Sequence, residues 1–285
     1  MVEVGGSSPS PATRGKMKYD LLIPVCPKDF NVLRYCLRSI RFFNPQPEEI
    51  FLVSPRPQEA ERITKEEGIE ARVYGDEQLF DFAGEGPKPG WFQQIIKLCQ
   101  TVTRDDYLVW DSDMILTRRL GVFNSDDRPF LRYHIREKPH VNQSYLDFMM
   151  RCFGQRPVMK TSMVCHHMFF QRPLVREMMS RFWAQHPKPN GSSDAEWFYR
   201  WLIGGGSTPK SSISEYEAYA HFVLDKFPDR YEVVQAQMSD ITFVQGSRTD
   251  AAIKEWLIKL STPIVALHKR ERSLAKVRGS GDWSV

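Results

Sequence analysis

The chain lacks any apolar run near the ~20 residues that a bilayer crossing needs, so a membrane-spanning protein is not expected. Its opening stretch, MVEVGGSSPSPATRGKMK, holds no apolar segment of the secretory-signal type. Cysteine is scarce and odd in number. The five residues, Cys26, Cys36, Cys99, Cys152 and Cys165, form no CxxC pair, which argues against a disulfide framework or a zinc ribbon. Excess charge of one sign is also missing. Lys plus Arg is 39 and Asp plus Glu is 35, a net of +4. That is too little for a nucleic-acid protein, although a local basic site for an anion remains open. There is no internal repeat. The expectation is a reduced, cytoplasmic protein.

What is present suits a globular domain. Of 285 residues, 41% are hydrophobic, 26% charged and 12% aromatic, a composition that excludes disordered and fibrous classes. Residues 1–17 are rich in Gly, Ser and Pro and read as a disordered leader. One continuous domain is expected over 18–270, then a basic tail over 271–285. That tail permits peripheral contact with an anionic membrane.

Tyr19 to Cys26 is a short apolar run of strand length without alternation, as a strand buried on both faces requires. Leu33, Cys36, Leu37 and Ile40 then recur at helical spacing. Ile50 to Ser54, Ala71 to Tyr74 and Tyr107 to Trp110 read as further strands. Glu59 to Glu67 and Trp91 to Thr101 read as helices, with a loop from Asp76 to Pro89. Strand and helix alternating in this way predicts an α/β fold with a mostly parallel sheet, whose strand C-termini share one edge. Beyond Leu120, strands are expected at Pro129 to Tyr133, Met163 to Phe170 and Ile264 to Leu267. Helices are expected at Tyr145 to Phe153, Leu174 to Gln185, Ala195 to Ile203, Glu215 to Phe227 and Ala251 to Leu260.

The sharpest chemical feature is Asp111-Ser112-Asp113, directly after the buried-type strand Tyr107 to Trp110. Two carboxylates there are costly in a dry core. They belong in a cleft at the sheet edge, in a solvated turn or on a hard divalent cation, which prefers oxygen ligands.

Five segments carry a resemblance. They are Tyr19 to Asp29, Gly90 to Leu98, Trp110 to Asp113, His166 to Met168 and Ser214 to Glu217. Their order resembles the GT-A glycosyltransferases, and within them a narrower bacterial-type family with a DxD triplet. The resemblance implies an α/β/α sandwich and a nucleoside-diphosphate sugar donor, most often UDP-linked. It also implies Mn²⁺ or Mg²⁺ on Asp111 and Asp113, with Ser112 beside the donor, and a glycan hydroxyl as acceptor.

In several such families a late-strand histidine completes the metal shell and basic residues follow. His268 fits that place, with Lys269 and Arg270 at the diphosphate. Pro24, Val25, Lys28 and Asp29 form the first strand-to-helix turn, which touches the nucleoside in this fold. Asp29 serves equally as a helix N-cap, and Ser54 has a similar dual reading. Gln94 and Lys97 stand on a helix start that favours anions; a solvated helix face is the alternative. Of His166 and His167, adjacent on a predicted strand, one should face the core or cleft and the other away, and a satisfied core histidine is the alternative to a place in the cleft. His167 is the choice for the cleft.

An inverting transfer needs a carboxylate base. Glu215 is the first candidate, Glu217 and Asp194 are the others, and Ser214 with Glu217 also reads as a capping box. Trp197, Trp201 and Tyr216 suit either a sugar platform or a core. A nucleotidyltransferase is the rival enzyme, disfavoured because Pro24 to Asp29 has no glycine. A non-catalytic nucleotide- or glycan-binding module is the rival outside catalysis.

Overall fold

The structure is a computed structural model that describes residues 17–43, 46–80, 89–134, 143–204, 213–243 and 263–269. The central sheet has the order β3-β2-β1-β4-β7. Its strands are β1 (Asp20–Pro24), β2 (Ile50–Ser54), β3 (Arg72–Gly75), β4 (Asp106–Trp110) and β7 (His167–Gln171). The first four are mutually parallel and β7 runs antiparallel against β4. The protein therefore has an α/β fold with a mostly parallel central sheet. β1 is buried at all five positions, which accounts for its unbroken apolar character.

Helix α1 (Phe30–Phe43) buries Leu33, Cys36, Leu37 and Ile40, the stripe expected from their spacing. The later helices are α2 (Pro57–Glu66), α3 (Asp76–Leu79), α4 (Pro89–Cys99), α5 (Gln143–Phe153), α6 (Arg172–Gln185), α7 (Asp194–Gly204) and α8 (Glu215–Lys226). α3 lies in a stretch expected to be loop. Its first-turn acids Asp76 and Glu77 suit a helix N-terminus. Two small sheets complete the fold. β5 (Met114–Leu116) joins β10 (Ile264–Lys269) and β9 (Met238–Phe243), while β6 (Phe130–Tyr133) pairs with β8 (Glu232–Gln235).

β5, β8 and β9 were not legible as strands. β5 has only three residues and depends on β10 for its partner, with Ala266 opposite Met114. β7 starts at His167 rather than near Met163. His166 has φ 57, and a left-handed residue ends extended backbone. The expected leader up to residue 16, the Ala251 to Leu260 helix and the tail over 271–285 lie outside the described residues. No described helix is long and apolar enough to cross a membrane.

The connection between α4 and β4 is fixed by a buried arginine. Arg172, 8% exposed, donates to the carbonyls of Gln100, Thr103 and Arg104 and to the Thr103 hydroxyl. Arg172→Met removes the donors and leaves buried carbonyls unpaired. It is expected to destabilise the fold by about 3 kcal/mol, measured as a lower urea midpoint with an unchanged m-value.

Candidate metal and donor site

Strand β4 delivers Asp111 to the edge where the parallel strands end. Tyr107 to Trp110 are buried. The chain then turns, with the Met114 amide donating to the Asp111 carbonyl at 3.1 Å. The turn is tied to the neighbouring chain by the Asp111 amide, which donates to the His166 carbonyl at 2.9 Å. Ser112 turns the other way and its hydroxyl donates to Asp29 Oδ2 at 3.0 Å.

Asp111, Asp113 and His166 form a cluster in which one donor atom from each lies within 4.8 Å of the others. The Asp111 carboxylate is oriented by partners on both oxygens. Oδ1 accepts from Lys97 Nζ at 2.7 Å and from the Tyr216 hydroxyl at 2.9 Å. Oδ2 lies 2.9 Å from His166 Nδ1. Burial acts to raise the Asp111 pKa, but the charge of Lys97 and the bond from His166 outweigh it. They hold the carboxyl well below the usual carboxylate range.

Lys97 is the electrostatic hinge of the site. It is 2% exposed, bonds Glu215 Oε1 at 2.5 Å and sits 4.3 Å from the centre of the Tyr216 ring. Burial works against its charge, yet Asp111 and Glu215 more than compensate and raise its pKa. Glu215 is also 2% exposed, and its amide donates to Gln94 Oε1 at 3.3 Å. Desolvation raises the Glu215 pKa while Lys97 opposes the rise. Asp29, 6% exposed, is pushed up to about 6, first by burial and then by the charge of Asp113.

Two carboxylates and an imidazole are a set that could hold a divalent cation accepting both oxygen and nitrogen. His166 is the histidine of this cluster, not His167. His167 is 2% exposed, its Nδ1 lies 2.7 Å from the Cys165 carbonyl, and its ring packs on Trp110. The expectation placed both residues on one strand, but His166 precedes β7, and at its left-handed turn that ring reaches Asp111. That turn has no signature in the sequence, so His166 could not be chosen over its neighbour.

Asp29, Gln94, Lys97, Asp111, Ser112, Asp113 and Glu215 are joined by the contacts above, and Tyr216 enters as a partner of Asp111. Lys97 stands buried between two carboxylates, where a solvated helix face was the alternative. Ser54 is fully buried and its hydroxyl accepts from the Arg56 amide at 3.2 Å. Pro24 closes β1, and the Val25 amide donates to the Val53 carbonyl at 2.8 Å. Lys28 is exposed next to Asp29. Asp194 is exposed at the start of α7 and pairs with Lys188 at 2.6 Å.

Ser214 caps α8 by accepting from the Glu217 amide at 3.2 Å. Glu217 does not close the expected box, because its side chain is buried against Ser162 and Met163 instead. Phe182, His186 and Trp201 pack together, so Trp201 belongs to an aromatic core. His268 and Lys269 end β10, the strand beside β5, but their side chains lie outside the described residues, as does Arg270.

No model of a known protein family matches the chain, and no curated protein matches it in sequence. Solved structures do align with it. The galactosyltransferase LgtC with donor and acceptor sugar analogues is 11% identical, with a TM-score of 0.41 over 87% of this chain and 86% of that one. An active-site mutant of LgtC aligns with the same values. Mouse xyloside xylosyltransferase 1 in its apo form is 11% identical, with a TM-score of 0.43 over 88% of this chain and 97% of that one.

Proposed function

We propose that the protein is a metal-dependent glycosyltransferase that moves a sugar from a nucleoside-diphosphate sugar, UDP-linked, to a glycan hydroxyl with inversion. The observation that carries this reading is the Asp111–Asp113–His166 cluster at the C-terminal end of a parallel β4. That is the edge where open α/β sheets bind ligands. These three residues would hold Mn²⁺ or Mg²⁺, which when bound supplies charge neutralisation for a leaving diphosphate. Lys97 and Tyr216 fix one oxygen of Asp111 and leave the other toward His166. Asp29 and Ser112 line the adjoining turn, where they are suited to bond ribose hydroxyls or an N–H of the base. Glu215 is the carboxylate assigned to the acceptor proton, and Lys269 and Arg270 to the phosphates.

Thermal unfolding with Mn²⁺ and UDP, GDP, CMP or ADP tests the reading. UDP is expected to raise stability by about 2.7 kcal/mol at a hundredfold excess over its Kd. The rise should vanish with EDTA and in Asp113→Ala. A flat response to every nucleotide would remove the donor site. A UDP shift without turnover on any acceptor would favour a binding module.

A further inference from the structure

Glu217 is offered by the sequence as a catalytic carboxylate or as half of a capping box, and it occupies neither position. It is fully buried, and its Oε1 accepts from the Ser162 hydroxyl at 2.8 Å and from the Met163 amide at 3.0 Å. Its Oε2 lies 3.4 Å from Nε2 of His221, one helical turn along α8 and also fully buried. His221 Nδ1 accepts from the Val158 amide at 3.0 Å. Nε2 and Glu217 Oε2 are close, but neither has a hydrogen-bond partner among the described residues, so Glu217 is held through Oε1. A buried carboxylate is costly unless it is bonded, and both side chains reach one irregular segment, Val158 to Met163.

That segment leads straight into His166. A non-glycine residue with φ 57 persists only where its surroundings over-determine it. Three sets of contacts do so here. The Asp111 amide bonds the His166 carbonyl, the Cys165 thiol lies 3.3 Å from the Arg132 carbonyl, and Glu217 holds Ser162 and Met163. Two residues before Glu217, the same helix places Glu215 on Lys97, and Tyr216 reaches Asp111. The first turn of α8 thus registers both segments that supply the cluster.

We propose that Glu217 is a positioning residue that sets the segment entering at Ser162 and Met163 so that His166 reaches Asp111 and Asp113. This role rests on the reading of those three residues as a cation site.

Mn²⁺ binding to the full chain, followed by electron paramagnetic resonance, tests it without needing turnover. His166→Ala is expected to weaken binding, and Glu217→Leu, which removes the oxygen that Ser162 and Met163 bond, to weaken it by about tenfold, the scale of residues that orient metal ligands. In the His166→Ala background, Glu217→Leu should then have no further effect, because it acts only through His166. Ser162→Ala, which removes one donor and leaves Glu217 intact, should repeat the pattern more weakly and guards against misfolding of the first variant. Equal weakening by Glu217→Leu with and without His166 overturns the positioning role, as does unchanged binding in Glu217→Leu alone. Full Mn²⁺ binding in both Asp113→Ala and His166→Ala overturns the cation site itself and this role with it.

Discussion

Lys97→Met is expected to cost the fold about 3–5 kcal/mol, the scale of breaking a buried ion pair from one side. The ammonium bridges Asp111 Oδ1 at 2.7 Å and Glu215 Oε1 at 2.5 Å, with Lys97 and Glu215 each 2% exposed. Methionine fills the space but supplies no charge. Asp111 retains the Tyr216 hydroxyl and His166. Among the side-chain contacts described here, Glu215 has only Lys97 for its carboxylate, so most of the cost falls on it. Lys97→Met/Glu215→Leu should therefore recover much of the loss, since replacing both partners by apolar groups is far cheaper than removing one. The measurement is chemical denaturation of the single and double variants at equal ionic strength. Wild-type stability in Lys97→Met would mean that water reaches the pair and that the site is more open than its packing indicates.

The parallel half of the fold was legible because its signals are local. Tyr19 to Cys26 and Tyr107 to Trp110 are apolar without alternation, and they became β1 and β4, the middle of the sheet. The Asp111–Asp113 triplet could be assigned to the strand-end edge for the same reason: an apolar run followed by two carboxylates must leave the core. What the sequence hid is nonlocal. Lys97 and Glu215 are separated by 118 residues in the chain and meet only because α4 and α8 pack on the same edge. Each alone resembles an ordinary charged residue on a helix. β5 exists only because β10 pairs with it. His166 and His167 are indistinguishable by residue type, and a single left-handed backbone angle decides between them.

Glu215→Gln is expected to lower kcat by a factor of about 10²–10⁴, the range for losing a general base, while leaving the Mn²⁺- and UDP-dependent thermal shift in place. Glutamine keeps an oxygen for Lys97 and nearly the same shape, so the change isolates the acid–base function. The environment is suited to that function: desolvation raises the Glu215 pKa, which strengthens it as a proton acceptor, while the charge of Lys97 opposes the rise. Steady-state kinetics with the donor and a hydroxyl acceptor separates the outcomes. A fall in kcat with little change in donor KM assigns Glu215 to the proton transfer. Loss of the thermal shift along with kcat would show instead that Glu215 serves the site by holding Lys97 against Asp111. Asp194→Asn is the matching control. Asp194 is exposed and paired with Lys188, so its neutralisation should leave the rate unchanged. If Asp194→Asn were the inactive variant and Glu215→Gln the active one, the base would belong to the start of α7 and the acceptor would approach from that side.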